Sequence, residues 1–316
     1  MPEEGKFYRI KNNDGTDYLN GDGTSGRVQF NNGIENDANS VFYFIDNKLL
    51  SYKTGTYLAA KIPSGKNGYF LCYTEAVDES TNITFKKSPV AGKLLIEFAG
   101  NRSFYSAGTG ESDAAGSGQN GENYRFTVEE VTSLPVNVTS VGWATLYAPV
   151  ALTIPNDVTA YTGTVNGEWL TLTEIEEDVI PANTGVVLQG AGDHEFTITT
   201  TTTTYANNVF SGYVSDTQVG DSEVYTLQGD SNTNIGVVFK PFDGSKPLDG
   251  FKAFIPAAKI DGTGAISIRF EGTTDSEHSE ISNQNSAFIY DLFGRRVEKM
   301  TKGGIYIVNG KKVVIR

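Results

Sequence analysis

Short runs in which apolar and polar residues alternate with a period of two recur along the chain, separated by Gly, Asn and Asp. That pattern predicts half-buried strands joined by turns. Three phenylalanines sit in comparable runs, "SVFYFID", "TNITFKK" and "NYRFTVEE"; Phe44, Phe85 and Phe126 are spaced 41 and 41 residues apart. Two positions before them stand Phe42, Ile83 and Tyr124. This spacing puts each pair on one strand face, toward a core. A second series, "TDYLN", "GTYLAA" and "RSFYSA", places Tyr18, Tyr57 and Phe104 after a turn, 39 and 47 residues apart. "KFYRI", "KLLSY" and "KLLIEF" precede them. Three all-β units of roughly 40 residues predict a β-trefoil over residues 1–132, a six-stranded barrel capped by three hairpins.

Leu134-Pro135 marks a boundary, because the residue before proline is driven out of helical conformation. Beyond it, "VALTI", "EWLTLTEI", "TGVVLQ", "EFTIT", "EVYTLQG", "IGVVFKPF", "GFKAFIP" and "AISIRFEG" read as strands. They predict a β-sandwich over residues 133–272. "EGTTDSEHSEISNQNS" is polar and reads as a linker, assigned to 273–288. The last segment, 289–316, carries "IYDLFGRRV" and "GGIYIVNGKKVVIR". Its Asn309-Gly310 pair predicts a C-terminal β-hairpin, with Ile305, Ile307, Val313 and Ile315 on one apolar face. The fold class read from the sequence is therefore all-β.

These motifs carry three resemblances. In repeat length and strand order the stretch from Gly5 to about Val131 resembles ricin-type β-trefoil lectin domains. The resemblance implies sugar-binding positions in each repeat: a polar residue after the second strand, a mid-repeat Gln, and an Asn before the last core aromatic. Asn20 and Gln29 fill the first two in the first repeat, where Val41 stands at the third. Asn82 and Asn123 fill the third position in the other repeats, with Ala60 and Ser106 near the first. The Gln-x-Trp signature is replaced by Phe42-x-Phe44, Ile83-x-Phe85 and Tyr124-x-Phe126. "GWATLYAPVALTIP" and "VIPANTGVVL" resemble an uncharacterised β domain of surface proteins from gut Bacteroidetes. "YDLFGRRV" and "GIYIVNGKKV" resemble type IX sorting tails, which implies a secreted or cell-surface address. The opening "MPEEGKF" reads as a start methionine on a trimmed mature end, with a signal peptide already removed.

Charge sharpens the picture. The 316 residues carry 25 basic and 38 acidic side chains, a net −13. Asp291 to Arg316 holds seven basic and two acidic residues, so the tail is +5 and the remainder −18. Nucleic acid and anionic membranes are poor partners for such a chain, and no run approaches the length of a membrane helix.

Candidate chemistry is sparse. Cys72 is the one cysteine, which excludes an internal disulfide; it reads as a small buried side chain. His194, in "GAGDHEF", reads as a solvated turn residue, and His278 falls in the linker. No His/Cys spacing suits a metal, and no G-x-S-x-G elbow is present. Asp14, Asp17, Asn20 and Asp22 miss the EF-hand register and read as a turn. The acids of "EIEEDV" share one short segment instead of flanking a cleft, and the Gly-rich stretch 108–122 reads as a long loop. Trp169 is the candidate stacking ring of the second block. The resulting expectation is a non-catalytic secreted or surface binding protein, without cofactor. Its ligands would be glycans held by Asn20, Gln29, Asn82, Asn123 and Trp169. The alternative is a structural or protein-interaction module, including a trefoil-type protease inhibitor.

Overall fold

A computed structural model describes residues 1–22, 28–62, 69–106, 113–115, 120–262, 264–271, 289–291, 305–308 and 311–314. The chain is all-β. Among the described residues twelve strands precede residue 131, four to a repeat. The first repeat contains β1 (Lys6–Lys11), β2 (Tyr18–Asn20), β3 (Gln29–Asn31) and β4 (Phe42–Ile45). The second contains β5 (Lys48–Ser51), β6 (Tyr57–Lys61), β7 (Tyr69–Thr74) and β8 (Ile83–Lys87). The third contains β9 (Leu94–Phe98), β10 (Arg102–Tyr105), β11 (Asp113–Ala115) and β12 (Thr127–Glu130).

Ladders join β1 to β4, β4 to β5, β8 to β9 and β12 to β1. The ring is completed by the Leu94–Phe126 bridge and by the Ile83 N–H donating to the Asn47 carbonyl at 2.8 Å. The hairpins β2–β3, β6–β7 and β10–β11 cap it. Six barrel strands and three hairpins make this a β-trefoil.

Cross-strand partners show which residues are equivalent. Phe44 pairs with Leu49 and Phe85 with Ile96, and at the third junction it is Val128 that meets Ile10. Phe42, Ile83 and Phe126 are then equivalent, and each follows a 3-10 turn and one capping residue: Ala38–Ser40 with Val41, Glu79–Thr81 with Asn82, Glu122–Tyr124 with Arg125. Phe44, Phe85 and Phe126 are all buried, but the third belongs with Phe42 and Ile83. A shift of two residues leaves a strand's inward face unchanged, so period two alone does not register the repeats. By the same pairing Tyr18, Tyr57 and Ser103 correspond, and Leu19, Leu58 and Phe104 are the fully buried equivalents.

The second module, from Ser133, has three sheets. A four-stranded sheet orders β13 (Ser133–Val138), β20 (Gly192–Thr199), β15 (Ala151–Thr153) and β18 (Val179–Ile180). A five-stranded sheet orders β14 (Trp143–Leu146), β19 (Val186–Gln189), β16 (Thr159–Asn166), β17 (Trp169–Glu174) and β25 (Ser267–Phe270), the last parallel to β17. A second four-stranded sheet orders β21 (Ser211–Tyr213), β24 (Lys252–Pro256), β22 (Val224–Gly229) and β23 (Val237–Pro241). The five-stranded sheet is covered on both faces. Ala144, Leu146, Val186 and Leu188 pack toward the first sheet, whereas Trp143, Val187, Leu170 and Leu172 pack toward the other.

The trefoil and this module share a core. Along β1, β4 and β5, Tyr8, Ile10, Phe42, Phe44 and Leu49 face the barrel interior, while Phe7, Tyr43, Leu50 and the following Tyr52 pack with Leu134, Val136, Leu146 and Phe251. Phe251 seats its ring 4.8 Å from Tyr52 and 6.1 Å from Phe7, from a backbone at φ +57°. Beside it, Gly55 at φ +65° meets the Asp216 loop so closely that a Cβ would lie 2.7 Å from the Asp216 nitrogen. The Asp216 N–H donates to the Gly55 carbonyl at 2.8 Å, and Asp216 Oδ1 accepts from the Gly250 N–H at 2.9 Å.

Burial pushes the Asp216 carboxyl above the usual aspartate range, against the pull of the Gly250 N–H, and Asp249 and Glu75 add to the rise. A carboxyl raised on folding binds more protons in the native state than in the unfolded chain. Stability therefore falls as pH climbs from about 4 through the raised value, then levels off. Asp216→Asn keeps the acceptor and removes this penalty. Its melting temperature relative to wild type is expected to rise across that window and then plateau; a difference independent of pH would refute the assignment.

The remaining compact unit, 272–316, contains an antiparallel sheet of β26 (Ile289–Asp291), β27 (Ile305–Val308) and β28 (Lys311–Val314). Where a hairpin is expected, a third strand is added: Ile289–Asp291 pairs along β27. The register sets Ile305 opposite Val314 and Tyr306 opposite Val313, which does not bring Val313 into line with Ile305 and Ile307. The expected linker 273–288, the Asn309-Gly310 turn and most of the Gly-rich loop lie outside the described residues.

Candidate functional site

The three repeats place equivalent backbone positions at the start of each hairpin and in each 3-10 turn, and the side chains there differ in kind and in exposure. Asn20, Ala59 and Tyr105 are equivalent, as are Asn39, Ser80 and Asn123. The Gly21 N–H donates to the Asn39 carbonyl at 2.7 Å, and the Ser106 N–H donates to the Asn123 carbonyl at 2.8 Å, the same bond in two repeats. Asn123 thus corresponds to Asn39 and not to Asn82, again because the third repeat is offset by two.

In the first repeat the carboxamide of Asn20 is engaged by its neighbours. Its Nδ2 donates to Asn31 Oδ1 at 3.2 Å and Asp22 Oδ2 at 3.4 Å, and its Oδ1 accepts from the Asp22 N–H at 3.0 Å. Gln29 pairs with Asn20 across β2–β3. In the second repeat Asn82 closes a 3-10 turn, donating to the Glu79 carbonyl at 3.2 Å and accepting from the Ala99 N–H at 3.0 Å. The five sequence-derived residues do not converge. Asn20 and Gln29 share one hairpin, Asn82 and Asn123 sit in other repeats, and Trp169 lies in the second module, half-buried with the Arg269 guanidinium 5.8 Å from its ring.

The third repeat differs in kind. Tyr124 stands where Ser40 and Thr81 are fully buried. A phenol ring does not fit that space, so Tyr124 is half-exposed, contrary to the inward face its spacing with Phe126 suggests. Its ring centroid is 5.2 Å from that of Tyr105, with the planes at 59°. The exposed Asn123 donates from Nδ2 to the Tyr105 hydroxyl at 3.0 Å. Two half-exposed rings and a carboxamide form one surface platform. Tyr105 escaped sequence reasoning because its position holds Asn or Ala in the other repeats. The buried Tyr43 and the half-buried Tyr147, whose ring packs on Gly212, offer no such surface.

Other candidate groups occupy structural roles. His194, expected in a solvated turn, is 8% exposed. β20 already begins at Gly192, so strand alternation turns His194 and Phe196 inward; His194 Nδ1 lies 3.3 Å from the Asp157 carboxylate. Cys72 is buried, which pushes its thiol up. Asp14 accepts from the Thr16 N–H and hydroxyl, and Asp17 from Asn12 Nδ2. Among the described residues no three His, Cys, Asp or Glu side chains are grouped to hold a metal, and no helix is long and apolar enough to cross a membrane.

No protein-family model matches the chain, and no curated protein matches it. Several solved structures are similar to it. The designed threefold-symmetric protein ThreeFoil is 12% identical, over 40% of this chain and 99% of that one, with a TM-score of 0.34. A ricin B-like lectin from Macrolepiota procera, solved in complex with lactose, is 14% identical over 42% and 99%, also at 0.34. Cry35Ab1 is 9% identical over 81% and 88%, at 0.32. At such values the trefoil assignment rests on the strand pairing of this chain itself.

Proposed function

We propose that the protein is a non-catalytic binding protein that works outside the cytoplasm, with glycans as ligands and Tyr105, Asn123 and Tyr124 as the contact surface. The observation that carries this reading is the pairing of two half-exposed tyrosine rings with a carboxamide bonded to one of their hydroxyls. A sugar ring presents an apolar C–H face that suits an aromatic ring, and hydroxyls that suit amide and phenol groups. Calorimetric titration with a panel of neutral oligosaccharides is expected to find a ligand whose affinity drops about tenfold or more in Tyr105→Ala and in Asn123→Ala. Binding that both variants retain in full would move the site elsewhere. Silence across the panel would sink the glycan reading and favour a protein partner. The extracellular part of the proposal rests on the resemblance of the C-terminal segment to sorting tails. Deleting 289–316 is expected to retain the protein inside the cell or periplasm; arrival of the shortened chain at the surface would refute that role.

A further inference from the structure

A cleft of about 690 Å³ opens between the trefoil and the second module, within the size range of small-molecule sites. The trefoil contributes Lys53, from the loop after β5, and the second module contributes the rest. Lys246 and Lys252 line it as well, as do Asp243 and Asp249. All three lysines are exposed, and none forms an ion pair or side-chain hydrogen bond among the described residues. Asp243 accepts through Oδ1 from the Ser245 N–H at 3.0 Å and hydroxyl at 2.8 Å, and these bonds, with a smaller pull from the Lys246 ammonium, hold its carboxyl below the usual aspartate range. In a chain of net charge −13, a lining of three lysines against two aspartates is locally net +1, with none of the three ammonium groups in a direct ion pair among the described residues.

Lys252 reaches solvent, yet the atoms packed along it strip enough water to push its ammonium below the ordinary lysine range; Asp249 opposes this and Lys53 reinforces it. A cation in that setting is underpaired, and an anion in the cleft would stabilise it. The remaining wall is neutral and mixed, with Asn137, Thr226 and Gln228 among Trp143, Leu227 and Phe242; Asn137 Nδ2 donates to Asp193 Oδ1 at 2.7 Å and Gln228 Nε2 to Thr226 Oγ1 at 3.1 Å, so each carboxamide keeps its oxygen as an acceptor. Carboxamides and hydroxyls both donate and accept, as a polyhydroxylated ring requires.

We propose that this cleft is a binding site for an anionic saccharide, its carboxylate or sulfate held by Lys53, Lys246 and Lys252 and its hydroxyls by Asn137, Thr226 and Gln228. The site is separate from the tyrosine platform of the third repeat and does not depend on it. Because Lys53 comes from the trefoil, the site is complete only while the two modules are docked.

Calorimetry on the full chain tests it with a glucuronate-containing oligosaccharide, its sulfated counterpart and a neutral oligosaccharide of equal length. Binding of the uronate alone assigns the anion to a carboxylate, and binding of the sulfated form alone assigns it to a sulfate; either supports the site. Affinity is expected to fall as salt is raised, about tenfold in each of Lys53→Gln, Lys246→Gln and Lys252→Gln, and not at all in Tyr105→Ala. Lys53 and Lys246 are exposed, so their variants keep the wild-type melting temperature, whereas Lys252→Gln removes a desolvated ammonium and is expected to melt no lower than wild type. Equal binding of the neutral oligosaccharide, retention of affinity in all three variants, or no binding of either acid overturns the proposal. Loss of binding in Tyr105→Ala instead would assign the acid to the platform and also overturn it.

Discussion

Replacing Phe251 with alanine is expected to cost about 3–5 kcal/mol and to separate the melting of the two modules. Its ring closes the aromatic group in which Phe7 lies 4.7 Å from Tyr43 and 5.9 Å from Tyr52, with Tyr52 4.8 Å from Phe251 itself. Removing it leaves a cavity against strands that belong to both modules, and little else in that buried, close-packed contact can collapse into the space. The residue also holds its backbone at φ +57° while its N–H donates to the Tyr213 carbonyl and its carbonyl accepts from the Tyr147 N–H. A bulky side chain in the left-handed region costs about 1–2 kcal/mol, a strain the ring's burial offsets. Phe251→Gly relieves the strain, so it should be about 1 kcal/mol less damaging than Phe251→Ala. Scanning calorimetry reads both effects. Wild type should unfold in one transition, because the core is continuous across the modules, and Phe251→Ala in two. A single unshifted transition in the variant would show that the modules are coupled elsewhere.

Phe126→Ala is expected to cost about 3–5 kcal/mol as well, confined to the trefoil. Phe126 is fully buried, 4.7 Å from Phe104 and 5.8 Å from Phe30, and its backbone exchanges both hydrogen bonds with Leu94, at 2.8 and 2.9 Å. That bridge joins β9 to β12 and closes the barrel, so the cavity opens beside its seam. Val128→Ala, at the position equivalent to Phe44 and Phe85, should cost less, since a half-buried valine loses fewer contacts. Denaturant unfolding monitored in the trefoil distinguishes the two. Equal losses would mean that Phe126 and Val128 had been assigned to the wrong equivalent positions.

Much of this architecture is legible in the residues alone. Strand, turn and repeat follow from period-two runs and their Gly, Asn and Asp breaks, because alternation is a local consequence of the pleat. Even the docking face left a trace. "NITFKK" alternates, with Thr84 and Lys86 exposed, whereas "KFYRI", "VFYFI" and "KLLSY" set adjacent apolar residues side by side (Phe7-Tyr8, Tyr43-Phe44, Leu49-Leu50), one for each buried face. The two-residue offset of the third repeat was not legible, since shifting by two preserves the inward face and only cross-strand partners reveal it. His194 entered the core because strand pairing extended through what reads as a turn. The tyrosine platform and the lysine cleft were hidden for a different reason. Tyr105 and Tyr124 are separated by a long hairpin, and Lys53 lies nearly 200 residues from Lys246 and Lys252. Spacing along the chain carries the periodicity of single elements, but the meeting of such distant side chains is decided only when the barrel closes and the modules pack together.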